Sequence, residues 1–359
     1  MAKISKIPGF GDYGVYVDGV DFNHMTDEEW MEFGELHLKT LVTIFRDTKC
    51  EPTRLKELGI QWGAPPPVSF YRFVKKYKIE IDKLLPPPIA YSRAWAQLQK
   101  VADESDQQVI QETMAILEMP NVQRVTGKRH TDGRRAGIFA EGELLWHSNE
   151  SGQIVNTPGV MLLARENVVS TSTGFCITPN WYEEQTEAFR SELDQIVMLH
   201  DFVPGRMNPG LDDVQDAMMK TNFAPEPDEL PLIIQSPGGI RGLHFPVHTV
   251  VGIRGMVQSE ADQLIKYIAD GILKEPHIYD HWYQQQSGDL LCFDNSITLH
   301  RRLGGVVERL ALRTPTSFSN LLPYQWQPYY QPEFAQRYCE RVMDMRAVLN
   351  LKNQKPFRD

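Results

Sequence analysis

Apolar and polar residues alternate from Tyr13 to Phe22, which predicts a strand. Thr26 and Glu29 then stand at capping-box spacing, so a helix is expected to run from there to about Leu41. The apolar run Leu41–Phe45 is too short for a helix and predicts a buried strand. Prolines at 65–67 and 86–88 bracket a mixed segment, and a helical pattern follows over Asp106–Leu117 until Pro120. From Val122 the pattern changes. Residues 122–139 read as a β-hairpin with Asp132-Gly133 in its turn. Further strands are expected at Val160–Arg165, Leu232–Gln235 and Leu290–Phe293. Helices are expected at Trp181–Asp194 and at Glu260–Leu273, the second capped by Ser259, with another from about Pro332.

Strands joined by irregular connections do not suggest a regular alternation of strand and helix. The pattern carries no internal repeat. Residues 65–120 are expected to be a proline-rich, helical excursion packed on the body of one domain spanning 1–359, and 316–359 a C-terminal extension.

Composition narrows the function classes. A hydrophobic content of 42 % and a charged content of 23 % are ordinary for a globular chain. The formal charge of −10 disfavours nucleic acid, which needs a basic face. The pairs Arg134–Arg135 and Arg301–Arg302 are too short to reverse that. Cys50, Cys176, Cys292 and Cys339 are far apart and form no CxxC pair, so neither structural zinc nor a disulfide framework is expected. No apolar run is long enough for a signal peptide or a membrane span, so a cytoplasmic protein without a membrane partner is expected. Self-association into a homo-oligomer stays open.

Several apparent motifs lack the context their chemistry needs. Gly9, Gly11 and Gly14 spell GxGxxG, but a proline precedes them and a strand follows. His244 and His248 are separated by Pro246, which spoils a shared helix face. His277 and His281 have no carboxylate at zinc-site spacing.

A stronger constellation is split across the chain. His147, Ser148, Asn149 and Glu150 end an apolar strand; far downstream, Gly288–Asn295 leads into His300, and Arg309 and Arg313 follow. Two histidines and a carboxylate on one iron leave positions open for oxygen and a chelating cosubstrate. A guanidinium is well suited to a dicarboxylate cosubstrate. Trp146 and Phe293 read as core residues, and Asp294 and Asn295 as ties for the loop before His300. Trp181, Tyr182 and Arg206 suit a substrate pocket or ordinary helix and loop positions equally well.

The WHSN tetrad, the GDLLCFDNSITLH block and the ERLALR stretch resemble the taurine dioxygenase family of Fe(II)/2-oxoglutarate-dependent oxygenases. The likeness extends from about Gly19 to about Thr314. It implies a mainly β protein with flanking α-helices, built on a double-stranded β-helix, or jelly-roll, barrel. It implies Fe(II), 2-oxoglutarate and O2, with release of succinate and carbon dioxide and hydroxylation of a small-molecule substrate. His147 and His300 would be iron ligands, Arg309 the anchor for the distal carboxylate of 2-oxoglutarate, and Thr173 a contact of the same carboxylate. Arg313 would assist Arg309 or bind an anionic group of the substrate. Halogenation is disfavoured, because that route usually has Ala or Gly at the third ligand position.

The chain departs from the family at that position. Asn149 stands where Asp or Glu is usual, and an amide oxygen is a neutral, weaker donor. Three readings stay open: Asn149 ligates iron; Glu150, water or substrate completes the set; or the site does no oxygen chemistry. The rival functions are a binding protein on the same barrel, or another metal-dependent reaction that also uses His244 or His248. The presence of Arg309 argues against both.

Overall fold

The computed structural model describes residues 2–63, 68–82, 87–119, 122–139, 142–154, 157–203, 205–206, 227–284, 288–305 and 308–349. β1 (Lys3–Lys6) turns through Gly9 and Gly11, both at positive φ, into β2 (Gly14–Asp18). Gly19, at φ 75°, ends β2, so this strand is shorter than its alternation suggests. α1 (Asp27–Thr40) begins with the expected reciprocal capping box between Thr26 and Glu29, and leads into β3 (Val42–Phe45). α2 (Pro52–Trp62) has proline in its first turn, where the missing N–H costs nothing.

α3 (Val68–Tyr77), α4 (Pro87–Val101) and α5 (Glu104–Ala115) make up the excursion, the last capped by Asp103. Their buried faces form a small core around Tyr71, Val74, Leu98 and Ile110, which Met345 from near the C-terminus joins. Short β4 (Leu117–Met119) and β5 (Val122–Thr126) follow. The hairpin expected here has only its first arm as a regular strand; residues 129–138 contribute two isolated bridges. Gly133 sits at φ 84° in the turn.

β6 (Leu144–His147), β7 (Gly159–Glu166) and β8 (Ser172–Ile177) come next. The single helix expected over Trp181–Asp194 is two, α6 (Thr178–Glu184) and α7 (Glu187–Leu193). Gln185 is extended there, and Thr186 caps the second helix from its hydroxyl. β9 (Val197–His200), β10 (Asp228–Pro231), β11 (Ile233–Gln235), β12 (Arg241–Leu243) and β13 (Val250–Ile253) precede α8 (Gln258–Ile272). α8 begins before Ser259, which lies inside its first turn; Val257 precedes it without a side-chain cap. The chain continues through β14 (Ile278–Trp282), β15 (Leu290–Asp294), β16 (Thr298–Leu303), β17 (Leu310–Thr316) and α9 (Pro332–Leu349).

The result is a mixed α/β protein with extensive, mostly antiparallel sheets. Eight strands pair in the order β1-β2-β3-β15-β7-β17-β5-β4, and four in the order β14-β8-β16-β6. The two sheets meet at Phe175 and Phe293, whose ring centroids lie 5.3 Å apart. Continuous apolar strands such as Leu290–Phe293 are buried at the centre of the larger sheet, between β3 and β7. Trp326, Tyr329, Phe334 and Tyr338 from the C-terminal extension join the same core. Among the described residues no helix is long and apolar enough to cross a membrane, and all four cysteines are free thiols.

Candidate metal and cosubstrate site

The site begins with strand pairing. β6 and β16 run antiparallel with His147 and His300 as direct partners, so histidines 153 residues apart in sequence become cross-strand neighbours. Their ring centroids lie 4.1 Å apart. His147 Nδ1 meets the Leu145 carbonyl at 2.7 Å. Donation to that carbonyl puts the proton on Nδ1 and leaves Nε2 with a bare lone pair, the tautomer a metal ligand requires. Burial pushes His147 down to about 4 and His300 well below its ordinary value, keeping both imidazoles neutral.

Asn149 follows β6, and its amide Nδ2 lies 3.2 Å from His300 Nε2. A half-turn about the last side-chain bond exchanges amide nitrogen and oxygen, so the same head can offer its oxygen there. Two imidazoles and one amide therefore converge. Among the described residues no group of three His, Cys, Asp or Glu side chains is arranged to hold a metal. The donor set suits a divalent cation, with a neutral oxygen where a carboxylate would be charged.

Glu150 takes a different direction. Its backbone is left-handed, at φ 50°. Its carboxylate meets Arg313 Nη2 at 2.8 Å and accepts from Thr157 Oγ1 at 2.5 Å. Arg313 also donates from Nη1 to Gln123 Oε1 at 2.8 Å.

Arg309, immediately before β17, is only 3 % exposed. Its Nε donates to Thr171 Oγ1 at 3.2 Å, and its guanidinium lies 5.9 Å from the Tyr283 ring centre. Thr173 Oγ1 meets Tyr283 Oη at 2.7 Å, so Tyr283 links the two threonines' surroundings. Burial lowers the Arg309 pKa. No carboxylate pairs with Arg309 among the described residues, which leaves a buried cation suited to an incoming carboxylate. Arg302 is nearby in the electrostatic sense, but donates to the carbonyls of Phe139 and Gly142.

The remaining sequence candidates have other partners. His277 Nε2 lies 3.3 Å from Glu184, and His281 Nε2 lies 2.9 Å from Asp289. Trp181 and Tyr182 pack in a second hydrophobic core, and Arg206 donates to the Val250 carbonyl at 2.5 Å. His248 lies edge-on against His147, with ring centroids 5.9 Å apart, and His244 lies beside His200, the rings tilted and 5.8 Å apart. Sequence reasoning passed over Thr171, Tyr283 and His200. Thr171 lies two residues before Thr173, just outside β8, and only its local turn carries it to Arg309.

A model of the family described as taurine catabolism dioxygenase TauD, TfdA family, matches residues 3–313. The chain belongs to that family. It is accordingly a non-haem iron, 2-oxoglutarate-dependent dioxygenase, and its cofactors are Fe(II) and 2-oxoglutarate. Solved structures with the same fold include AAD-2 in complex with Mn(II) and N-oxalylglycine. It is 16 % identical with a TM-score of 0.56, covering 88 % of this chain and 97 % of that one. A taurine dioxygenase from Burkholderia xenovorans is 14 % identical, also with a TM-score of 0.56, covering 88 % and 89 %. At such identity the likeness is one of fold. No curated protein matches the sequence.

Proposed function

We propose that this TauD/TfdA-family enzyme hydroxylates a small organic molecule, holding iron through His147, His300 and Asn149. The observation that carries this reading is the amide of Asn149 lying 3.2 Å from His300 Nε2, beside the His147–His300 pair. His147 and His300 sit on β6 and β16 of the four-stranded sheet, which we read as part of a jelly-roll barrel in a single cytoplasmic domain. When bound, Fe(II) and 2-oxoglutarate supply oxygen activation, coupled to release of succinate and carbon dioxide.

The chain's own residues then have separable tasks. Leu145 fixes the His147 tautomer through its carbonyl. Arg309 receives the distal carboxylate of 2-oxoglutarate, with Thr171 orienting the guanidinium and the Thr173–Tyr283 hydroxyl pair beside it. Arg313 engages the Glu150 carboxylate, which favours Asn149 over Glu150 as the third ligand. Because Arg313 already has a carboxylate partner, an anionic substrate would gain no free charge from it.

Anaerobic titration of the Fe(II) protein with 2-oxoglutarate tests this reading. A visible metal-to-ligand charge-transfer band is expected for the wild type and should be lost in His147→Ala and His300→Ala. Its absence from the iron-loaded wild type would rule out a working cosubstrate site.

A further inference from the structure

Three buried histidines adjoin the metal site without belonging to it. His200 ends β9, while His244 and His248 follow β12; they are 0 %, 2 % and 7 % exposed. His248 bridges the two groups, with its ring against His147 and within electrostatic range of His200 and His244. Each has one ring nitrogen with no hydrogen-bond partner among the described residues: Nε2 of His200, Nε2 of His244 and Nδ1 of His248. Buried polar atoms ordinarily have a hydrogen-bond partner, so three bare acceptor-capable nitrogens in one neighbourhood point to a ligand that donates.

The hydrogen bonds at the opposite ring nitrogens decide which chemistry is missing. His244 Nδ1 faces the Ser296 carbonyl at 2.8 Å, and a carbonyl only accepts; Nδ1 therefore carries the proton. His200 Nδ1 faces Thr249 Oγ1 at 3.0 Å. Thr249 spends its own proton on the Pro246 carbonyl at 3.1 Å, so its oxygen accepts from His200. Both imidazoles, kept neutral by burial, thus turn an unprotonated Nε2 to the interior. Two lone pairs on rings 5.8 Å apart accept hydrogen bonds and repel an anion.

Resting on the oxygenase reading above, we infer that His200 and His244 form an acceptor pocket for the substrate, receiving an uncharged group with N–H or O–H donors, of the carboxamide or hydroxyl class. A metal ion is the other species that seeks bare imidazole nitrogens. The zinc arm of the test below separates the two. The Glu150 partner of Arg313 points the same way, because it removes the free cation an anionic substrate would seek.

The test uses the metal-free full chain labelled with 15N-histidine, with the ring nitrogens read by long-range proton–nitrogen NMR. Acetamide and acetate are the probes, since they share a shape and differ in offering donors or only a negative charge. Acetamide is expected to move the Nε2 resonances of His200 and His244. Its dissociation constant should be at least about tenfold below that of acetate, the equivalent of one hydrogen bond of about 1.4 kcal/mol. His200→Phe assigns its signal and should weaken acetamide binding; the shift at His244 in the wild type provides a second readout if that variant fails to fold. Preference for acetate, no shift with either probe, or a response to Zn(II) alone would each overturn the inference. None of these readouts needs iron. Failure here with an intact charge-transfer band rejects the pocket and spares the oxygenase, and the reverse result rejects the oxygenase alone.

Discussion

The side chain of Asn295 holds the backbone of Asn149 on both sides. Its Oδ1 accepts from Asn149 N–H at 2.8 Å, and its Nδ2 donates to the Asn149 carbonyl at 2.7 Å and to the Thr157 carbonyl at 2.8 Å. A residue 146 positions away thereby sets where the third candidate ligand begins its side chain. Asn295 is fully buried, so these bonds have no competition from water.

Replacing this clamp should affect stability and metal binding together. Asn295→Ala strands the Asn149 N–H and two carbonyls, and a loss of about 2–4 kcal/mol is expected in urea unfolding. In the folded fraction Fe(II) affinity should fall. Unchanged iron affinity would show that Asn149 does not depend on Asn295 for its position.

Asn149→Asp restores a negative charge beside two neutral imidazoles. Fe(II) should bind at least about tenfold more tightly, the effect of roughly one charge-assisted contact. Uncoupled conversion of 2-oxoglutarate to succinate should rise as well. Measurable wild-type turnover would mark an adapted site, whereas a silent wild type rescued by this change would mark a degenerate one.

Glu150→Ala distinguishes the neighbouring carboxylate. It leaves the buried Arg313 cation without its ion partner, at a cost of about 2 kcal/mol, since Glu150 is partly exposed. Iron binding should survive in the folded protein. Loss of iron instead would make Glu150 the ligand and leave Asn149 with a structural role.

The two arginines should separate by cosubstrate binding. Arg309→Ala is expected to raise the 2-oxoglutarate dissociation constant by about tenfold to a hundredfold while leaving Fe(II) binding nearly intact. Arg313→Ala should do less, because its guanidinium is already paired. The opposite ranking, measured by the charge-transfer titration, would exchange their roles.

Acid should destabilise the protein through buried histidines that are not metal ligands. Burial lowers His37 to about 3, His244 to about 4 and His200 well below the ordinary 6.5. The unfolded chain then takes up protons that the folded chain refuses. Their contribution is complete above about pH 6.5 and falls by up to about 1.4 kcal/mol per pH unit for each histidine below it. Asp294, raised by burial to about 7, has the opposite sign, gaining stability as pH falls towards 3.8. Three histidines outweigh one carboxyl, so the urea midpoint of the metal-free protein should drop between pH 6.5 and 4. A flat profile over that range would contradict the buried neutral histidines.

Local pattern determined much of this molecule. The capping box at Thr26–Glu29, the apolar strands at Leu41–Phe45 and Leu290–Phe293, and the spacing of His300, Arg309 and Arg313 were legible because each depends on neighbours a few residues away. The break between α6 and α7 and the start of α8 before Ser259 were less so, because helical periodicity marks a face more firmly than a boundary. Tertiary structure alone decided the partners: Asn295 on the Asn149 backbone, Glu150 on Arg313, Thr171 on Arg309, and His248 against His147. The reason is physical. Strand pairing and sheet packing bring together side chains separated by many residues, and a bare lone pair or an unpaired cation is defined only once every neighbour in three dimensions is in place.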